Sequence, residues 1–303
     1  MESGIRMWIV GTVGIDTITT RNGRFEKQLG GSVTYAGAAS SFFTKVGSVG
    51  VVGNDFPDAF MERYLKLGMD VAGIQFEQGP TFSWEGVYEA DMVNRRTIRT
   101  DLGVLENFAP QLPESYRDAP FVLLGNINPD LQLHLLDQAR GARFVAVDSM
   151  DLWINCARDK LVEVIGRSHL VTLNDSEARQ LTGCFNLRHC AAALFDMGVE
   201  YVLIKKGEHG ALLFSRDGLA IIPAYPVQEV RDPTGAGDTY AGAFMGYLAE
   251  HDAVDTPTLR QALLHASAVA AYGVEDMSTT RLEGLTRADI DSRARELRAM
   301  TAL

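Results

Sequence analysis

The sequence predicts an α/β fold in which a mostly parallel central sheet is flanked by helices and carries a small antiparallel β lid. Three observations lead there. Short runs of apolar, largely β-branched residues recur along the chain, the pattern of strands buried on both faces. Segments with helical apolar spacing separate them, so successive strands return through crossovers and run parallel. Two stretches, 15–28 and 81–105, instead mix apolar and polar residues in strand-like fashion, as a half-exposed sheet does.

The first strand is read over 7–13 (MWIVGTV). In 15–28 the Asn22-Gly23 pair suits the tight turn of a hairpin. A small-residue helix over 34–44, a strand over 48–52 and a helix over 57–67 follow. The stretch 81–105, polar and rich in charge, completes the lid. Beyond it come a strand at 121–124, a helix at 131–138 and a strand at 144–147. The strand 170–173 leads directly into helices 175–182 and 187–197, and a further strand occupies 201–204. Helices over 237–249 and 258–272 end the pattern. No repeat, low-complexity tract or Pro/Ser-rich linker divides the chain, so 1–303 reads as one domain with a lid.

Composition narrows the function. With 303 residues, 46% hydrophobic and 22% charged, the chain has the make-up of a globular protein able to bury a large core. A net charge of −11 argues against a surface that coats nucleic acid or anionic lipid. The three cysteines, Cys156, Cys184 and Cys190, lack CxxC or Cys/His spacing, which disfavours a disulfide framework or structural zinc and fits a cytoplasmic setting. The apolar run near the N-terminus is short and broken by glycine, so neither a signal peptide nor a membrane span is expected.

The most informative stretch is VRDPTGAGDTYAG at 230–242. Gly235, Ala236 and Gly237 offer unobstructed amides, and apolar residues at Tyr240, Phe244, Tyr247 and Leu248 have the spacing of a buried helical face. A glycine loop opening onto a helix N-terminus is an anion cradle suited to phosphate. Asp238 lies where the cradle begins, a poor place for an anion unless it handles a proton or a metal; its bland alternative is an N-cap. The GxxxxGK[ST] phosphate loop and the full GxGxxG fingerprint are both missing.

These residues resemble the ribokinase-like, or PfkB-type, carbohydrate and nucleoside kinases. DPTGAGD at 232–238 is similar to that family's C-terminal signature. Asp16 and the Gly30-Gly31 pair resemble its sugar-binding region, Asn174 to Glu177 its NxxE motif, and Gly207 to Gly210 its nucleotide turn. The resemblance implies a ribokinase-like fold and an ATP-dependent kinase using Mg²⁺, with a monovalent-cation site for K⁺. It makes Asp238 the general base and the amides of Ala236, Gly237 and Asp238 the anion hole. Glu177 would hold Mg²⁺ through water, Asp232 and Thr234 a monovalent cation. Lys205, Gly207, Gly210 and His265 would face the nucleotide. Asn174 and Glu177 could equally form a capping box. Where the family often has asparagine shortly after the glycine pair, this chain has Tyr35.

The expected acceptor is the primary hydroxyl of a small sugar or polyol, contacted by Asp16, Gly30, Gly31 and Asn126. The alternative is a nucleoside, with Phe82, Trp84, Tyr35 or Phe42 stacking on its base; a non-catalytic nucleotide-binding regulator is the third reading. Arg95, Arg96 and Arg99 on the lid could clamp a phosphorylated substrate, and the lid edge could pair two copies into a homodimer.

Overall fold

A computed structural model describes residues 4–301. The large sheet has nine strands in the order β13-β12-β11-β10-β9-β8-β1-β4-β5. They are β1 (Met7–Val10), β4 (Val46–Gly53), β5 (Asp70–Glu77), β8 (Phe121–Leu124), β9 (Phe144–Asp148), β10 (Leu170–Asn174), β11 (Tyr201–Lys205), β12 (Ala211–Ser215) and β13 (Gly218–Ile222). Strands from β11 to β5 run parallel, and the β12–β13 hairpin adds an antiparallel edge. β1, β4, β8 and β9 are buried along their whole length, which is why they read as continuous apolar runs.

Helices cover both faces. One face carries α1 (Ser32–Ser40), α2 (Asp58–Lys66), α8 (Ala236–His251), α9 (Thr256–Gly273), α10 (Thr280–Glu283) and α11 (Arg287–Thr301). The other carries α3 (Pro129–Leu136), α4 (Asp151–Cys156), α5 (Arg158–Gly166), α6 (Asp175–Thr182) and α7 (Leu187–Asp196). α1 and α8 meet backbone to backbone: a Cβ on Gly242 would lie 2.2 Å from the Ala36 carbonyl oxygen, and one on Gly246 2.8 Å from Ser40 Cα. That approach brings the N-termini of both helices to the same edge of the sheet.

The small sheet has the order β3-β2-β6-β7, from β2 (Gly14–Thr20), β3 (Gly23–Gly30), β6 (Ser83–Tyr88) and β7 (Arg95–Asp101). Its two hairpin-like pairs are antiparallel, and β2 joins β6 through one parallel pairing. Ile18, Tyr88, Met92 and Met277 form its own apolar cluster, with Val230 packed on it, so the inner face rests on the segments that flank α8 and α9.

Several boundaries shift from expectation. The first strand ends at Val10 because Thr12 and Ser32 exchange hydrogen bonds, each side-chain oxygen accepting from the other's N–H at 3.0 Å. α1 begins at Ser32, two residues early, launched by Gly31 at φ 95°. β5, α4, α5, the β12–β13 hairpin, α10 and α11 had no clear sequence signal. β5 and β13 are the edge strands of the sheet and are partly exposed, β12 pairs with β13 beside that edge, and α11 is dominated by charge.

Candidate active site

The candidate residues converge at the C-terminal ends of the parallel strands, where open α/β sheets bind ligands. Gly235 adopts φ 72°, a left-handed conformation that favours glycine, and turns the chain into α8 with no side chain capping the helix. Asp238 is therefore not an N-cap, which removes its bland alternative. The Ala236 N–H leans on the Pro233 carbonyl at 3.3 Å. The Gly237 and Asp238 amides, in the first turn, have no intrahelical acceptor and remain the donors of an anion hole.

Asp238 is partly buried at the start of α8. Burial and the neighbouring Asp148 push its carboxyl up to about 7, against the pull of Lys205 and Arg95. A carboxyl poised there exchanges protons near neutrality.

Lys205, expected to face the nucleotide, is a largely buried ion-pair partner. β9 and β11 flank β10, and the Lys205 side chain reaches across that strand to place Nζ 2.6 Å from Asp148 Oδ2. Burial disfavours its charge, but Asp148, Glu177 and Asp238 outweigh that and hold its pKa up. A Cβ on Gly237 would sit 3.3 Å from Nζ, so the ammonium lies beside the anion hole.

Asn174 and Glu177 make the capping box of α6: Asn174 Oδ1 accepts from the Glu177 amide and Glu177 Oε2 from the Asn174 amide, each at 2.8 Å. One carboxylate oxygen is spent there. Burial and then Asp148 raise the Glu177 carboxyl to about 7. Gly207 (φ 53°) and Gly210 (φ 85°) form the turn from β11 into β12. A Cβ on Gly210 would strike the Ile222 carbonyl oxygen at 2.0 Å.

Across the cleft, Asp16 on β2 accepts the Trp84 N–H at 3.1 Å through Oδ1. Burial lifts it to about 7. A Cβ on Gly30 would lie 2.0 Å from its Oδ2, and one on Gly31 2.4 Å from the Thr12 carbonyl oxygen. The glycine pair thus keeps backbone clear beside Asp16. Gly30→Ala is expected to displace the carboxylate and raise the acceptor KM about 5- to 150-fold, the range of a 1–3 kcal/mol overpacking cost, while the ATP KM stays unchanged; equal losses for both substrates would refute that role. Asn126, at the end of β8, gives its side-chain oxygen to Trp153 Nε1 at 2.8 Å, which leaves its NH₂ as donor.

The lid supplies one arginine rather than three. Arg95 lies over the Trp84 ring at 5.6 Å and acts on both Asp238 and Glu177. Arg96 and Arg99 pair with Glu89 and Asp101. Arg99 also lines a cavity of about 740 Å³ with Ile15, Lys27, Asp55 and Thr81, and no residue around Asp238 contributes to it. Tyr88 Oη bonds Thr234 Oγ1 at 3.2 Å and ties the lid to the DPTGAGD loop. Asp232 is buried without a cationic side chain against it among the described residues; its oxygens accept the Thr234 and Ser278 amides at 2.9 and 3.0 Å.

His265 Nδ1 lies 2.8 Å from the Gln261 carbonyl oxygen, its Nε2 3.3 Å from Asp291, and its ring stacks on Tyr247 at 4.5 Å. Tyr247 is nine residues along α8 from Asp238, a rise of about 13.5 Å at 1.5 Å per residue, so His265 stands apart from the anion hole itself. Phe42 likewise packs against the core at the far end of α1. Sequence reasoning left Asp148 unassigned as a partner and Arg95 unseparated from its neighbours. A charged residue ending a wholly apolar strand such as FVAVD was the available signal for the first.

Among the described residues no three His, Cys, Asp or Glu side chains are grouped to ligate a metal directly. No helix among them is long and apolar enough to cross a membrane.

The model of the pfkB family of carbohydrate kinases matches residues 6–283. A cytidine kinase from Thermococcus kodakarensis is 34% identical over 250 residues, 79% of this chain and 87% of that protein. An aminoimidazole riboside kinase from Salmonella typhimurium is 26% identical over 291 residues, 90% of each. The crystal structure of a Methanocaldococcus jannaschii nucleoside kinase superposes with a TM-score of 0.77 at 21% identity, covering 97% of this chain and 99% of that one. A parallel sheet with a β lid, an uncapped helix start behind DPTGAGD and a family match over most of the length agree: the chain belongs to the pfkB family of carbohydrate kinases and is an ATP-dependent kinase of sugars or nucleosides.

Proposed function

We propose that the acceptor is a nucleoside, phosphorylated on its primary hydroxyl. The observation that carries this reading is the seat of Trp84: its backbone N–H holds Asp16, and its ring, partly exposed, lies over Gly86 on the same lid strand and packs on the lid's apolar cluster. A pentose whose diol meets Asp16 would place a base on C1 within reach of an aromatic face. The relatives named for cytidine and aminoimidazole riboside support the same class.

In this reading Asp238 accepts the proton of the primary hydroxyl as its oxygen attacks the γ-phosphorus in line. The Gly237 and Asp238 amides, with Lys205 and Arg95, face the charge that develops on the transferring group. The lid, tied down through Tyr88, excludes water that would otherwise compete as acceptor. Three carboxylates, Asp148, Glu177 and Asp238, share one buried lysine, an excess of negative charge that suits a hydrated divalent cation. Glu177 is the residue that would orient its water, and Mg²⁺ would neutralise phosphate charge when bound. Asp232, buried without a cationic partner, and Thr234 are the residues that would hold K⁺.

The test is a panel of ribonucleosides, deoxyribonucleosides and free pentoses and hexoses assayed for ADP release. Nucleosides are expected to give the highest kcat/KM, and Trp84→Ala to lower it for nucleosides by about 5- to 150-fold, as loss of a stacking contact worth about 1–3 kcal/mol implies. A free sugar turned over better than every nucleoside would return the acceptor to the sugar class.

A further inference from the structure

We propose that Ser278 is a positioning residue that holds the acceptor side of the site and the anion loop at one fixed separation, so that the attacking hydroxyl meets the γ-phosphate in line. The inference rests on the reading that the acceptor lies beside Asp16 and the phosphates at the Gly237 and Asp238 amides, and it goes beyond that reading by naming what aligns the two.

Ser278 lies in the turn between α9 and α10, outside every motif of the sequence. It is 3% exposed and sits at φ 55°, left-handed backbone that costs a serine free energy. A buried residue kept in that conformation is over-determined by its neighbours, and its two polar groups show which ones. Its hydroxyl donates to the Leu29 carbonyl, and its amide donates to Asp232 Oδ2 at 3.0 Å.

Those two bonds reach opposite sides of the cleft. Leu29 precedes Gly30 at the end of β3, where a Cβ would lie 2.0 Å from Asp16 Oδ2. Asp232 opens the DPTGAGD loop, and its other oxygen accepts the Thr234 amide at 2.9 Å, one residue before the Gly235 turn into α8. One residue thus ties the backbone beside Asp16 to the backbone that presents the anion-hole amides.

The turn is anchored on either side of Ser278. Met277 packs in the lid's apolar cluster with Ile18 and Tyr88. Thr279 Oγ1 accepts from Arg63 Nη2 at 2.9 Å, and Arg63 Nε donates to Glu283 at 2.6 Å, which joins the turn to α2 and α10. Ser278 is therefore braced from the lid and from the helical layer, and its two bonds pass that rigidity to both halves of the site. In-line transfer is sensitive to such spacing: a displacement of about 1 Å can cost about 10²-fold in rate.

The experiment compares Ser278→Ala and Ser278→Gly with the parent, using the acceptor that the panel identifies, at constant Mg²⁺ and K⁺ and below every melting transition. Both variants lack the hydroxyl, but only glycine adopts the left-handed backbone without strain, so Ser278→Gly should melt above Ser278→Ala. The kcat is expected to fall about 10- to 100-fold in both, with the KM for ATP and for the acceptor each within about three-fold of the parent. Loss of alignment alone gives that split, since both binding sites stay formed. A kcat within two-fold of the parent in either variant overturns the proposal. So does a kcat that follows melting temperature across the three proteins, which would make the role of Ser278 one of stability only. An acceptor KM raised with kcat unchanged overturns it too, by placing Ser278 in binding. A sugar that wins the panel overturns the nucleoside reading alone, because the same variants are then assayed with that sugar.

Discussion

Asp238→Asn is expected to slow phosphoryl transfer by about 10²- to 10⁴-fold, the usual worth of general-base assistance, without lowering the melting temperature. The amide is isosteric but cannot take the proton of the attacking hydroxyl. Stability should hold or rise because Asp238 caps nothing, and because ionising it in the folded protein is unfavourable: its carboxyl is raised from 3.8 to about 7, chiefly by burial. The sign of the pH dependence follows. A carboxyl whose pKa rises on folding stabilises the fold while protonated, so that contribution is complete below 3.8 and is lost as pH climbs through about 7. The base works only when ionised, so kcat/KM should rise over the same interval and level off above about 7. Activity and this part of stability thus run in opposite directions, and the Asn variant should lose both trends. A variant that melts like the parent and retains more than about a tenth of its rate would exclude Asp238 as the base.

Lys205→Met is expected to cost about 3–5 kcal/mol of stability, the range for removing one partner of a buried ion pair. Asp148 would be left ionised and enclosed, with Glu177 and Asp238 near it and only Arg95 as a positive neighbour on the lid. Removing the partner charge as well should recover most of the loss, so Lys205→Met combined with Asp148→Asn is expected to melt close to the parent. A purely structural lysine would move nothing else. Lys205 also holds the Asp238 carboxyl down, so in the single variant the rise of kcat/KM with pH should shift to a more alkaline value, and ATP binding should weaken as the anion hole loses its neighbouring ammonium. Urea denaturation together with a pH-rate profile measures both effects. An unchanged midpoint and an unchanged profile would show that the pair contributes neither stability nor tuning.

Much of the fold was legible in the chain because its causes are local or periodic. Strands buried on both faces show as unbroken apolar runs, and both β9 and β10 were recognisable for that reason. The Asn22-Gly23 turn announced the β2–β3 hairpin. Elements that escaped, such as β5, β13 and α11, are partly exposed at an edge or covered in charge, so their stability comes from neighbours rather than from their own pattern.

The site divides along the same line. By itself the sequence determined that a glycine loop opens onto a buried helix with Asp238 at its start, that Gly30-Gly31 precedes a second helix near Asp16, and that Asn174 and Glu177 can cap a third, because each depends on residues a few positions apart. Only the tertiary structure decided which distant residues meet. Lys205 could be placed by the nucleotide turn, but its ion pair could not be foreseen, because nothing in YVLIK reveals that Asp148, 57 positions earlier, ends a strand two places away in the sheet. That His265 stacks on Tyr247, a residue of a different helix, was likewise invisible in the chain. Arg95, Arg96 and Arg99 were alike in sequence, and a bulge between Glu85 and Gly86 in the β6–β7 pairing helps decide which of them faces Asp238. Side-chain charge is written in the chain, but its pKa, partner and direction are set by burial and by neighbours that only folding supplies.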